Sequence, residues 1–151
     1  MDMEVDRSAK AYAKDEITIN APGKRIYTIL ADINNWPGWQ HTIKSAHLNG
    51  EPSEGAEFQW NAGGLRIVSK LHTVKPYSEF GWTGRMWWIR AIHNWTIREK
   101  NGGCVVTVEE SLKGFLSGLM KKTLVQGMRK SLEELKAAAE EGEDVTTTTG
   151  P

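Results

Sequence analysis

Only one cysteine, Cys104, occurs in the 151 residues, so neither an intrachain disulfide framework nor a thiolate metal site is available. An excess of either charge is also missing, with 19 basic residues against 19 acidic. That balance argues against nucleic acid as the main partner, which ordinarily demands a basic surplus. No apolar run reaches the length of a membrane span, so no integral membrane contact is expected. The opening Met1-Asp2-Met3-Glu4-Val5-Asp6 is acidic where a signal peptide would be basic. A cytoplasmic location is expected from these absences. There is no phosphate-binding Gly-Lys loop and no Gly-x-Ser-x-Gly elbow. His41, His47, His72 and His93 lack metal-ligand spacing, and His-Glu-x-x-His is absent. No metal and no cofactor are expected, and Cys104 reads as a small apolar strand residue.

Tryptophan, in contrast, is abundant. Of the seven in the chain, Trp60, Trp82, Trp87, Trp88 and Trp95 fall on segments that read as strands or their edges. They are interleaved with small and polar residues, as in Trp82-Thr83-Gly84 and Ala91-Ile92-His93-Asn94-Trp95. Large rings with one polar handle each suit the wall of a concave apolar pocket, although an aromatic core would use them too.

The length fits a single domain able to bury its own core. Residues 1–14 are weakly patterned and read as a loose lead-in. Glu16-Ile17-Thr18-Ile19-Asn20 alternates with period two and predicts a first strand. Pro22 is placed to open a helix, and Ile26, Ile29, Leu30 and Ile33 give it one apolar face before Asn34-Asn35-Trp36-Pro37 stops it. Pro37-Gly38-Trp39 starts a further short turn.

Strands are then expected over 43–48, 57–61, 65–74, 79–83, 88–98 and 104–111, with a turn near Gly84-Arg85-Met86. On the third of these, Leu65, Ile67, Ser69, Leu71 and Thr73 share one face; Arg66, Val68, Lys70, His72 and Val74 share the other. Asn101-Gly102 is a strong type I′ hairpin signal. From 115 to 141 there is no proline, and Leu116, Met120, Leu124, Met128, Leu132, Leu135 and Ala139 recur at helical spacing. One long amphipathic helix is predicted, capped by Gly142, followed by a disordered tail over 143–151. The domain itself spans 15–142. No internal repeat is present. The order implies an α+β fold in which a curved antiparallel sheet wraps around the terminal helix.

Within that frame, alternation puts His93 on a face with Ala91, Trp95 and Ile97. A histidine in an aromatic pocket can hydrogen-bond a ligand or move a proton, or be a satisfied core residue. On the last strand Glu110 shares parity with Val106 and Val108, so it is expected to face inward, with His93 or Arg90 as partner. Ser69 reads better as a small filler than as a ligand contact. Trp36 and Trp39 read as rings that staple a short helix to the sheet rather than as a lid. Of the neighbouring Trp87 and Trp88, opposite facing leaves one ring exposed, flanked by Arg85 and Arg90. Gly127 stands mid-helix at about 1 kcal/mol relative to Ala and leaves room for a ligand or close packing. Lys113, Lys121 and Lys122 form a small cluster, fewer than the roughly four to eight cations of a lipid-binding segment.

Asp32-Ile33-Asn34-Asn35-Trp36-Pro37-Gly38-Trp39, Trp82-Thr83-Gly84, Ala91-Ile92-His93-Asn94-Trp95 and Glu109-Glu110-Ser111-Leu112-Lys113-Gly114, in this order over about residues 15–140, resemble the polyketide cyclase/dehydrase and lipid-transport (SRPBCC) group of the START-like superfamily. The resemblance implies the helix-grip fold, with about seven strands around a long C-terminal helix and two short helices after strand one. It implies binding of lipids, sterols, polyketides or other hydrophobic molecules in an internal cavity, and in some members cyclase or dehydratase activity. It carries no universal catalytic set. One fold hosts many functions, so three readings follow. The first is a binding protein whose cavity is lined by Trp60, Ile67, Ser69, Leu71, Trp82, His93, Trp95, Glu110 and the helix face at Leu116, Met120, Leu124 and Met128. The second is an enzyme with His93 as general base and Glu110 as partner. The third is a chaperone-linked or stress-related interaction module with a filled core. Nothing in the pattern specifies an oligomeric state.

Overall fold

A computed structural model describes residues 1–147, with side chains as far as Glu141. In chain order it contains β1 (Ala11–Ile19), α1 (Gly23–Ala31), a 3-10 helix (Ile33–Gly38), β2 (Ile43–Leu48), β3 (Glu57–Ala62), β4 (Leu65–Lys75), β5 (Glu79–Met86), β6 (Ile89–Lys100), β7 (Gly103–Lys113), a 3-10 turn (Ser117–Met120) and α2 (Lys121–Thr147). The strands form one sheet in the order β1-β7-β6-β5-β4-β3-β2, with every neighbouring pair antiparallel. This is the helix-grip architecture, an open curved sheet with a long C-terminal helix. Among the described residues, no helix is long and apolar enough to cross a membrane.

The chain makes its sharpest reversals where turn chemistry asks for them. Asn101 and Gly102 both have positive φ, 51° and 83°, as a type I′ hairpin requires, and they join β6 to β7. Pro22 stands in an extended conformation immediately before α1. The two short helices then carry the chain from β1 to β2 at the far edge of the sheet. Trp36, in the 3-10 helix, is buried and donates its indole N–H to the Leu30 carbonyl at 3.0 Å. Its ring meets Phe58 and Trp60 edge-on, with centroids 5.4 Å apart in both cases. It fastens the helical layer to the sheet.

Several expectations are corrected. β1 begins at Ala11 rather than Glu16. Residues ahead of it are not a loose lead-in but lie on the sheet's outer face. The backbone N–H of Asp2 donates to Thr73 Oγ1 at 2.8 Å, that of Asp6 to Ser111 Oγ at 3.0 Å, and Asn94 Nδ2 donates to the Met3 carbonyl at 2.8 Å. The β5–β6 turn is not at Gly84-Arg85-Met86, because Met86 pairs with Ile89 and leaves Trp87-Trp88 as the tip. Strand alternation therefore does not apply to these two rings, and both are exposed. On β4 the register slips between Leu71 and Thr73. The extra residue, His72, is a bulge that turns Thr73 to the outer face and Val74 inward toward the core, so Thr73 does not share the face of Ile67, Ser69 and Leu71.

The C-terminal helix differs at both ends. Gly114 at φ 130° and Leu116 at φ 61° interrupt the chain, so α2 starts at Lys121, and Leu116 is an exposed connector residue rather than part of a helix face. α2 runs to Thr147, so Gly142 does not end it; of the expected tail, residues 148–151 lie outside the described residues. Met128, Leu132, Leu135 and Ala139 are buried, whereas Leu124 is half-buried and Val125 exposed. The helix packs on β1 and α1, grips with its later turns, and leaves space beneath its first ones.

Candidate functional site

That space has two adjoining lobes, of about 170 and 220 Å³. Both are walled by Trp60, Ala62, Trp82, Glu110, Leu124 and Gly127. Small-molecule pockets run to roughly 300–1,000 Å³, so the two lobes together match a modest ligand. Strand periodicity builds most of the wall. Trp82 on β5 stands opposite His93 on β6, and His93 opposite Glu110 on β7, in the sheet register. Three adjacent strands thus present their inward side chains in one row.

At the centre of the row, His93 Nδ1 lies 2.8 Å from Glu110 Oε1. An ionised carboxylate only accepts hydrogen bonds, so it fixes the tautomer with the proton on Nδ1. Trp82 stacks flat on the imidazole, with centroids 4.4 Å apart and planes 10° from parallel, and Trp95 leans against it at 5.5 Å. The ring is thereby held on its face and at one nitrogen. Its other nitrogen, Nε2, is buried without a hydrogen-bond partner, as is the Trp95 indole nitrogen. Burying polar groups unpaired is costly. An acceptor and a donor at one wall suit a ligand carrying a hydroxyl or carbonyl. The first lobe also takes in Gln40, Thr42 and Ser131, while the second is lined mainly by apolar groups such as Leu65, Ile67, Met86, Ile89, Leu112 and Met120. The pocket is therefore polar at the His93–Glu110 pair and apolar beyond it.

The other residues singled out in the sequence are distributed as follows. Trp60, Trp82, Glu110 and Leu124 line both lobes; His93, Trp95 and Met128 line the first; Ile67 and Met120 line the second. Ser69 is buried and accepts the Trp60 indole N–H at 3.0 Å, which orients that ring from behind. Leu71 is fully buried in the core, and Leu116 is exposed outside the lobes. Sequence reasoning passed over Leu30 on α1 and Ile43 at the start of β2, which close the first lobe together with Trp36 of the 3-10 helix, a ring expected only as a staple. It also passed over Gly84, Ala91 and Leu112, each two residues from a named pocket residue on its strand, so alternation contains the signal for them. A Cβ at Gly127 would meet nothing within 4 Å, and the glycine lines both lobes.

Glu109 faces away from the pocket. Arg7 meets it with two nitrogens, at 3.0 and 3.1 Å, and Tyr12 donates its hydroxyl at 2.7 Å. Burial pushes the carboxyl up, but these donors outweigh it and hold Glu109 below the usual carboxylate range. The neighbouring glutamates thus have separate tasks, one tying the N-terminal segment down and one inside. Among the described residues, no three His, Cys, Asp or Glu side chains converge as a metal site would need.

A family model described as polyketide cyclase / dehydrase and lipid transport matches residues 10–140. No curated protein matches the sequence. Among solved structures, a hypothetical protein from Helicobacter pylori is similar with a TM-score of 0.78 at 13% identity, over 89% of this chain and 91% of that one. A START superfamily protein from Mycobacterium smegmatis gives 0.75 at 12% identity, over 86% and 97%. The di-domain ARO/CYC StfQ of the steffimycin biosynthetic pathway gives 0.76 at 13% identity, over 89% of this chain and 52% of that protein. At such identities the likeness is one of fold.

Proposed function

The chain belongs to the polyketide cyclase/dehydrase and lipid-transport family, and we propose that it binds a small hydrophobic molecule, a lipid or an aromatic polyketide-like compound, between the sheet and α2. The observation that carries this reading is the two-lobed apolar space with a fixed imidazole whose Nε2 is buried without a partner. Burial of the ligand's apolar body in the second lobe supplies affinity, and His93 with Glu110 receives its polar end. The open space beside Trp82 and Trp95 counts against a filled-core interaction module. The test is native mass spectrometry of the purified protein, with titration of tryptophan emission by fatty acids, sterols and aromatic polyketides. A retained small molecule or saturable quenching is expected. Absence of both across the panel contradicts the reading.

A second reading has its own support in the Nδ1–Glu110 bond, which aims Nε2 as a general base would be aimed. In a cyclase or dehydratase, Nε2 takes a proton from the folded substrate while Glu110 steadies the imidazolium. Loss of turnover in His93→Ala with ligand binding retained favours this reading, and unaltered turnover rules it out.

A further inference from the structure

One end of the molecule, built from the β5–β6 tip and the β7–α2 connection, carries large apolar side chains in solvent. Trp87 is 73% exposed, Trp88 59%, Phe115 71% and Leu119 79%. The two segments are locked together. Trp88 donates its indole N–H to the Phe115 carbonyl at 2.8 Å and stacks on Trp87 with centroids 5.8 Å apart. A Cβ at Gly114 would lie 2.3 Å from the Trp88 carbonyl oxygen, so the close approach needs glycine. Trp87 and Leu116 both have positive φ, 52° and 61°, where a turn ordinarily places Gly or Asn. Bulky apolar residues in that conformation strain the backbone, and here they gain nothing from burial.

Cations outnumber carboxylates around this end. The whole chain is balanced, yet no Asp or Glu occurs between Glu79 and Glu99 or between Glu110 and Glu133. Arg85 and Arg90 are register partners across β5 and β6, and Arg90 and Lys113 across β6 and β7. Like charges placed opposite one another disfavour a sheet. Lys121 and Lys122 begin α2, where the helix dipole also disfavours cations. The Lys10 side chain lies against Gly118 of the connection. Of these six cations, only Lys113 has a carboxylate partner among the described residues, Asp6 at 2.7 Å. The connection thus joins residues far apart in sequence into a group within the roughly four to eight cations of a lipid-binding cluster.

We propose that this end docks on the surface of an anionic lipid bilayer. Trp87, Trp88, Phe115 and Leu119 enter the boundary between head groups and acyl chains, where aromatic rings concentrate, and the surrounding cations rest on lipid phosphates. A second copy of the chain fits less well, since a two-fold contact would set these cations against themselves. Docking also gives the second lobe a purpose-built neighbour, because its lining residues Met86 and Ile89 directly flank the Trp87-Trp88 tip. The docking surface itself does not depend on the ligand reading.

The test is flotation of the full chain with vesicles of phosphatidylcholine alone and of phosphatidylcholine mixed with phosphatidylglycerol. Binding to the anionic vesicles is expected, falling at least about tenfold in Trp87→Ser/Leu119→Ser and in Lys121→Glu/Lys122→Glu, and weakening with salt. Circular dichroism verifies the fold of each variant; the lysine pair is exposed, so that arm stands if the apolar one misfolds. Failure to bind anionic vesicles, or binding indifferent to both variants, overturns the proposal. A concentration-dependent dimer abolished by Trp87→Ser/Leu119→Ser, without vesicle binding, assigns the surface to a second copy. Quenching by a soluble ligand without vesicles reads the pocket separately, so the two claims fail independently.

Discussion

At the residue scale, His93 sets what the polar end of a ligand meets. Its Nε2 is free while Glu110 and Trp82 hold the rest of the ring. His93→Ala is expected to weaken binding of hydroxyl-bearing ligands by roughly two- to tenfold, the worth of one neutral hydrogen bond, while wholly apolar ligands bind as before. Calorimetric titration of matched ligand pairs measures the difference. His72 and Gly81 form a different kind of constraint. Asp2 N–H reaches Thr73 Oγ1, Thr73 meets His72 Nδ1 at 2.7 Å, His72 Nε2 meets Asn94 Oδ1 at 2.8 Å, and Asn94 returns to the Met3 carbonyl. Burial holds the His72 imidazole below its ordinary value, with the Asn94 bond and the charges of Asp2 and Glu4 opposing. The unfolded chain therefore takes up a proton first, from about pH 6.5 downward, and the folded chain only lower. The contribution of His72 is complete above that range and is lost as pH falls through the folded value. Denaturant midpoints between pH 7.5 and 5 should fall, and less so in His72→Gln. A Cβ at Gly81 would sit 2.6 Å from the His72 ring; Gly81→Ala is expected to cost about 1–3 kcal/mol, read as a lower Tm.

At the scale of elements, regular segments were readable and irregular ones were not. Parity with Val106 and Val108 was enough to turn Glu110 inward, and Asn101-Gly102 was enough to place the β6–β7 hairpin, because both are local and strictly periodic. The His72 bulge left no mark in the pattern, since Thr73 tolerates either face and its partner, the backbone of Asp2, is remote in sequence. Nor did periodicity reveal that the spacing from Leu116 to Ala139 is helical only from Lys121 onward. The interruption depends on backbone angles at Gly114 and Leu116. Sheet distance separates the gripping turns of α2 from the turns that roof the lobes, so Gly127 falls over open space. Gly127→Ala should raise stability by about 1 kcal/mol through helix propensity alone, seen as a higher denaturant midpoint. Gly127→Leu should fold equally well and fill the junction of the lobes.

At the scale of the whole molecule, a neutral chain divides its charge by place. Carboxylates are excluded from the β5–β6 tip and the start of α2, and the exposed apolar rings stand among the cations left there. Composition read as a total hides this, and only the fold brings Trp88 and Phe115 together. The family fold was legible from motif order because hairpin signals and one long helix leave few arrangements. The depth of the pocket was not legible, because it depends on how far α2 stands off the central strands. That stand-off decides whether the lobes can hold a ligand, and it is read by saturable tryptophan quenching with the tightest ligand of the panel, compared between wild type and Gly127→Leu. Binding in the wild type that disappears in a folded Gly127→Leu is the predicted result. Equal binding in both proteins contradicts it.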